Sequence, residues 1–136
     1  MKKFLLIVIT LGLIAVINTD CHKSNGGGGS NEVALVVQLT PAEGSTQPPA
    51  PGPDFPFKLE ITSTIPPGGV KITVTVAPDG TSNYFYNQTI ASTTQAVTNL
   101  TITGTPNNVI CVVQVTVTSL SSSTNKWTGS YRYSSK

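Results

Sequence analysis

Beyond residue 33, apolar and polar residues alternate with a period of two over most of the chain, and no stretch sustains the 3.6-residue period of an amphipathic helix. Seven segments carry the alternation. Val33 to Leu39 puts Val33, Leu35, Val37 and Leu39 on one face. Phe57, Leu59, Ile61 and Ile65 share a face in the second, with Ser63 as the exception. Val70, Ile72, Val74 and Val76 alternate with Lys71, Thr73 and Thr75 in the third. Tyr84 to Ile90 forms the fourth, and Ala96 to Ile102 the fifth, with Leu100 and Ile102 inward. Val109, Cys111, Val113, Val115 and Val117 form the longest apolar face, and Trp127, Gly129, Tyr131 and Tyr133 mark the last segment. Turn chemistry separates them: PPGG at 66–69, PDG at 78–80, GTPNN at 104–108 and SSSTN at 121–125. Seven short strands in about 100 residues predict an all-β domain, a single two-layer antiparallel sandwich over residues 33–136.

The polar faces of these strands are neutral. Between Phe57 and Lys136 there are 16 Thr and 10 Ser in 80 residues, so hydroxyls take the place that ion pairs hold on most surfaces. Thr suits this role because its β-branch favours the pleated backbone while its hydroxyl meets water. Charged residues make up 10% of the chain, against about a quarter in ordinary usage. From Cys21 onward, six basic residues (Lys23, Lys58, Lys71, Lys126, Arg132, Lys136) face five acidic ones (Glu32, Glu43, Asp54, Glu60, Asp79). A balance near +1 excludes electrostatic steering to nucleic acid or any other polyanion.

The first thirty residues follow a different pattern. Lys2 and Lys3 precede an apolar run from Phe4 to Ile17, interrupted by Thr10 and Gly12. Its 14 residues span about 21 Å as a helix, short of the roughly 30 Å hydrocarbon core of a bilayer. The run therefore predicts a secretory signal rather than a permanent span. No small-x-small cleavage site follows it, but Cys21 stands four residues beyond Ile17. This arrangement resembles a bacterial lipoprotein, with residues 1–20 as signal peptide. The resemblance implies a diacylglycerol on the Cys21 thiol, acyl chains such as palmitate, and a mature chain starting at Cys21. It implies a cell-envelope location, at the outer membrane or cell surface, with the membrane itself as a partner. Asn18, Thr19 and Asp20 stand where the family has an aliphatic residue, a small residue, then Gly, Ala or Ser. An uncleaved anchor and ordinary signal cleavage are the alternatives. Residues 21–32 include HKSNGGGGS, with nothing apolar to bury. As a flexible coil, the eleven residues His22 to Glu32 give roughly 18–20 Å of reach, which suits a tether.

The stretch Phe57 to Tyr133 resembles an immunoglobulin-like or fibronectin type III-like sandwich domain. Ala96 to Ser119, AVTNLTITGTPNNVICVVQVTVTS, carries the likeness: a strand ending in an inward Leu, a turn with Gly and Pro, then a long alternating strand. Cys111 has no Cys on the second strand to pair with, Trp127 lies on the last strand rather than the third, and no Tyr occupies the usual corner before the long strand. The segment 40–56 reads as loop or polyproline II, because it holds six of the ten prolines and proline cannot donate to a ladder. It is expected to carry the first strand across to the other sheet or to act as a spacer. A ligand for an aromatic groove and a hinge for strand exchange by residues 33–39 are the other readings.

Candidate chemistry is sparse. His22 is the only histidine and lies in the tether, so no imidazole can be fixed beside a nucleophile, and no catalytic residue is identified. No set of four His, Cys or carboxylate ligands converges, so no metal site and no cofactor are expected. Cys111 falls on an inward face and reads as a buried thiol. Asp54 and Glu60 are the nearest acidic pair in sequence, and Asp79 reads as a turn former. Aromatic residues remain. Tyr84, Phe85 and Tyr86 run consecutively, and Trp127, Tyr131 and Tyr133 alternate onto one face near the C-terminus. Such a strip either packs the core or stacks on sugar rings. Two functions follow: a non-catalytic envelope lipoprotein whose tethered module acts as spacer, adhesion or protein-contact domain, or a surface-anchored carbohydrate-binding module using Trp127, Tyr131 and Tyr133. Envelope proteins or polysaccharide are the corresponding partners.

Overall fold

The computed structural model describes residues 31–136. The signal segment 1–20, Cys21 and the Gly-rich part of the tether lie outside the described residues.

Alternation of β-branched residues with Thr drives the chain into strands, and the seven apolar faces can be buried only against one another. The strands are β1 (Val37–Thr40), β2 (Phe55–Ile61), β3 (Val70–Pro78), β4 (Tyr86–Thr93), β5 (Val97–Ile102), β6 (Ile110–Ser119) and β7 (Lys126–Ser134). They form a three-stranded sheet in the order β1-β2-β5 and a four-stranded sheet in the order β4-β3-β6-β7, with every strand pair antiparallel. The β2–β5 and β3–β6 neighbours are not consecutive in sequence, so the chain crosses between layers as in immunoglobulin-like sandwiches. Leu59, Ile72, Ile102 and the run Val113, Val115, Val117 sit at the centre of the core. In β3 and β6 the inward Val and Ile residues are sealed from water, while Thr73, Thr75, Thr116 and Thr118 hold the outer face.

Three strands begin or end elsewhere than the alternation predicts. The first starts at Val37, because side chains have claimed the backbone before it. Asn125 Oδ1 accepts from Leu35 N (3.0 Å), Asn125 Nδ2 donates to Val33 O (3.0 Å), and Ser63 Oγ accepts from Val36 N (3.1 Å). Leu35, Val37 and Leu39 are buried as expected, but Val33 is 59% exposed. The second strand stops at Ile61, since Thr62 N and Ser63 N both turn to Val36 O. The fourth begins at Tyr86 and runs on to Thr93, and a bulge disturbs its pairing with β3 between Val70 and Ile72.

The Pro-rich segment is more ordered than its composition predicts. After β1 it crosses to the other sheet and runs parallel to β7, with bridges Thr46–Arg132 and Ala50–Ser135. Gly44 N donates to Ser130 O (2.8 Å), Gln47 N to Arg132 O (2.8 Å) and Ala50 N to Ser134 O (3.1 Å), and Arg132 N donates back to Ser45 O (2.8 Å). The donors come from Gly44, Gln47 and Ala50, the non-proline positions, so proline leaves this edge able to pair.

Glycine is required at two places. Gly69 closes the PPGG turn at φ +79°, where a Cβ would lie 2.8 Å from Thr93 O. Gly129 lies on β7 beneath the Trp127 ring, where a Cβ would be 2.6 Å from Trp127 Cζ2 and 3.1 Å from Glu43 Cδ. Gly129→Ala therefore forces the indole off its seat. It is expected to destabilise the fold by about 1–3 kcal/mol. Urea unfolding followed by the emission of Trp127, the sole tryptophan, measures both the lower midpoint and the altered native spectrum.

Candidate functional site

The C-terminal aromatic strip is the chain's densest functional candidate, and β7 determines where each ring goes. Trp127, Gly129, Tyr131 and Tyr133 are two residues apart, so all four point towards the facing sheet. Tyr131 and Tyr133 are each only 3% exposed. Phe55 and Phe57 of β2 meet them from the other layer: the Phe55–Tyr133 centroids are 4.5 Å apart at 55°, and the Phe57–Tyr131 centroids 6.2 Å apart at 58°. These are tilted, edge-directed packings of core rings. Core packing, the first of the two readings for this strip, holds for Tyr131 and Tyr133, and the alternative of Trp127, Tyr131 and Tyr133 as an exposed coplanar stacking surface does not. Two of its rings fill the seam between the sheets, and Trp127 is half-buried at the end of the same face. The physical reason is β7's position beside β6, which turns this face inward onto β2.

The two phenols sit in different polar surroundings. The Tyr133 hydroxyl is 2.8 Å from Thr105 Oγ1, a buried pair that bridges the β5–β6 loop to β7. Burial pushes the Tyr133 phenol up to about 12, against the pull of the Thr105 hydrogen bond. Burial raises Tyr131 further, with Tyr133 beside it adding to the effect. Of the other aromatic run, Tyr84 is exposed, Phe85 and Tyr86 are half-buried, and the Tyr86 hydroxyl donates to Gln88 Oε1.

A cleft of about 210 Å³ opens above the strip, walled by Pro41, Gln47, Pro48, Ala50, Phe55 and Pro56 and floored by Tyr131 and Tyr133. It has no charged lining residue and falls below the roughly 300 Å³ at which small-molecule pockets begin.

Titratable groups elsewhere are dispersed. Asp54, just before β2, and Glu60 within it are six residues apart on an extended chain, about 20 Å at the strand rise, so they do not face each other across a bond. Glu60 Oε2 instead accepts from Lys58 Nζ at 2.8 Å. Asp79, in its turn, accepts from Arg132 Nε at 2.9 Å. Both pairs are well exposed and contribute little. Among the described residues, no three His, Cys, Asp or Glu side chains gather as metal ligands. Cys111 is buried and free, with Sγ 3.7 Å from Val109 O, and burial pushes its thiol up, away from the reactive thiolate.

One positioning residue escaped the sequence reading. Asn125 closes the SSSTN turn and grips the chain just before β1. Besides Leu35 N and Val33 O, its Nδ2 reaches Glu32 Oε2 at 3.0 Å. That bond, with Ser119 adding to it, holds the Glu32 carboxyl below the usual carboxylate range. The only signal in sequence was an Asn at the end of a Ser-rich turn, which turn chemistry alone explains.

Two outcomes follow from these contacts. Asn125→Ala leaves Leu35 N without its acceptor and loosens residues 31–36. It should lower stability by about 1–3 kcal/mol and open a protease-sensitive site before β1, read by limited proteolysis and mass spectrometry. The tyrosines make stability fall at alkaline pH. Their folded values lie above the ordinary 10, so the unfolded chain loses its phenolic protons first. Stability is therefore full below pH 10, apart from a smaller loss that Cys111 begins near 9, and declines as pH rises through about 12. Urea midpoints measured from pH 8 to 12 should show this decline, and Tyr131→Phe should flatten it.

No family model, characterised protein or solved structure matches this chain.

Proposed function

We propose that the protein is a non-catalytic cell-envelope lipoprotein, with its sandwich held on a flexible tether as a spacer, adhesion or protein-contact module. The anchor rests on sequence: a charged start, a 14-residue apolar run, Cys21, then a Gly-rich linker. The module's role rests on one structural observation, the burial of Tyr131 and Tyr133 against Phe55 and Phe57. Rings committed to the inter-sheet seam are not available to stack on a sugar, which removes the main basis for a carbohydrate-binding module. The tether joins the sandwich at the end where Asn125 holds Glu32 and Val33. The opposite end carries the 79–85 and 103–109 loops.

Expression of the full chain in a bacterium supplied with an alkyne-bearing palmitate analogue tests the anchor. The wild type should take up label and sediment with membranes, and Cys21→Ser should do neither. Label retained by Cys21→Ser, or its absence from both proteins, overturns lipidation. Passed over immobilised polysaccharides, the purified full chain should show no retention that Trp127→Ala abolishes.

A further inference from the structure

Exposed apolar side chains are not spread evenly over the sandwich. Six large ones are exposed among the described residues, and four of them, Val33 (59%), Val36 (52%), Val97 (45%) and Leu120 (47%), lie at one end. Val36 directly precedes β1, Val97 opens β5 opposite Glu60 of β2, and Leu120 follows β6 and donates its N–H to Gly69 O at 3.0 Å. Beside them a cleft of about 390 Å³ opens between Val33, Ile65, Pro66 and Pro67. Two cations border this end. Lys71 and Lys126 flank Thr118 in the register of the four-stranded sheet, both are exposed, and neither forms an ion pair among the described residues. The acidic residues here are engaged, Glu32 by Asn125 and Glu60 by Lys58, while Glu43 lies part-way along β7 beside Gly129. The opposite end exposes Tyr84 and Ile110, and its loops carry Asp54 and Asp79.

We infer that the end bearing Val33, Leu120, Lys71 and Lys126 is a membrane-contact surface, and that its occupant is the anionic bilayer holding the anchor. The inference rests on the reading of the N-terminal segment as a membrane anchor. Asn31, where the described chain starts, is at this end and only ten residues beyond Cys21. A flexible coil of that length keeps the end within roughly 20 Å of its lipid, so contacts too weak to hold a free domain act at high effective concentration. Exposed Val and Leu side chains suit the boundary between headgroups and acyl chains, where interfacial proteins bury apolar surface. Lys71 and Lys126 stand one rung behind the tip, and their long stems can carry the ammonium groups to lipid phosphates. The opposite end matches such a surface less well, because Asp54 and Asp79 would meet charge of their own sign.

The test uses the full chain purified from membranes and reconstituted into vesicles of phosphatidylcholine and phosphatidylglycerol. An environment-sensitive thiol dye is placed at Ser123→Cys in the β6–β7 turn or at Ser82→Cys at the opposite end, both exposed positions. Buried Cys111 should take no dye. The dye at residue 123 should shift to the blue, brighten, and be quenched by brominated lipid, and the dye at residue 82 should do none of these. Val33→Glu with Leu120→Glu should abolish the response at residue 123 without lowering the thermal melt, since both side chains are exposed. Lys71→Glu with Lys126→Glu, or vesicles of phosphatidylcholine alone, should weaken it, and Ile110→Glu at the other end should leave it unchanged. A chain that sediments with the vesicles while neither dye responds, or while both respond equally, overturns the membrane contact and leaves the anchor standing; the apolar end would then be free for a protein partner. A response indifferent to the Val33 and Leu120 substitutions overturns it as well. A chain that does not stay with the vesicles overturns the anchor and the contact together.

Discussion

The backbone pairing between the 44–50 segment and β7 is the constraint on which the rest of the molecule depends. A chain that has just completed β1 in one sheet is bonded, a few residues later, to the outer edge of the other, through Gly44, Gln47 and Ala50 donors and the Ser45 acceptor. This holds the two layers together along one side. It sets Pro41, Pro48 and Ala50 over the cleft floored by Tyr131 and Tyr133, and it delivers the chain to Phe55, which packs on Tyr133. This crossing helps to cover the aromatic seam, leaving Tyr131 and Tyr133 each only 3% exposed.

A core built that way relieves the surface of any need for charge. Burying Val and Ile on β3 and β6 contributes on the order of 1.5–3 kcal/mol for each side chain, while the two ion pairs among the described residues are exposed and contribute little. Thr can then fill the outer faces, where its stiff side chain fits the pleat. A neutral surface has a consequence for edges, since charge is one of the devices by which edge strands avoid each other. On the β1–β7 side, proline and the crossing segment do that work. On the β4–β5 side the strands carry neither proline nor charge, and the bulge at Ala91–Ser92 interrupts the regular pairing of β4 instead.

The ends of the sandwich have separate roles. At the end where the described chain begins, Asn125 ties Glu32, Val33 and Leu35 to the β6–β7 turn, so a pull on the preceding residues is borne by a side chain hydrogen-bonded to three positions before β1. At the other end, Ser135 Oγ donates to Gly52 O at 2.7 Å and Asn108 N to Ser135 O at 2.9 Å, so the C-terminus is held between two loops. Hydrogen bonds to Asn125 and Ser135 thus tie both ends of the sandwich to neighbouring loops.

Much of the architecture was legible from residues alone. The inward sets Val70–Val76, Leu100 with Ile102, and Cys111–Val117 follow from period two, because a strand has only two faces and one must be buried. The turns at 66–69, 78–80, 104–108 and 121–125 follow from the backbone freedom of Gly and Asn and the fixed φ of Pro. What sequence could not decide were relations between segments distant in the chain. Trp127, Tyr131 and Tyr133 were known to share a face, but whether that face met water or Phe55 and Phe57 depended on which strand lay opposite. Residues 40–56 looked structureless because their hydrogen-bond partners lie 84 to 87 residues further along the chain, on β7. That β4 is an edge strand follows only once the order β4-β3-β6-β7 is known. Periodicity records which way a side chain points relative to its own strand, and only the packed sheets decide what stands in front of it.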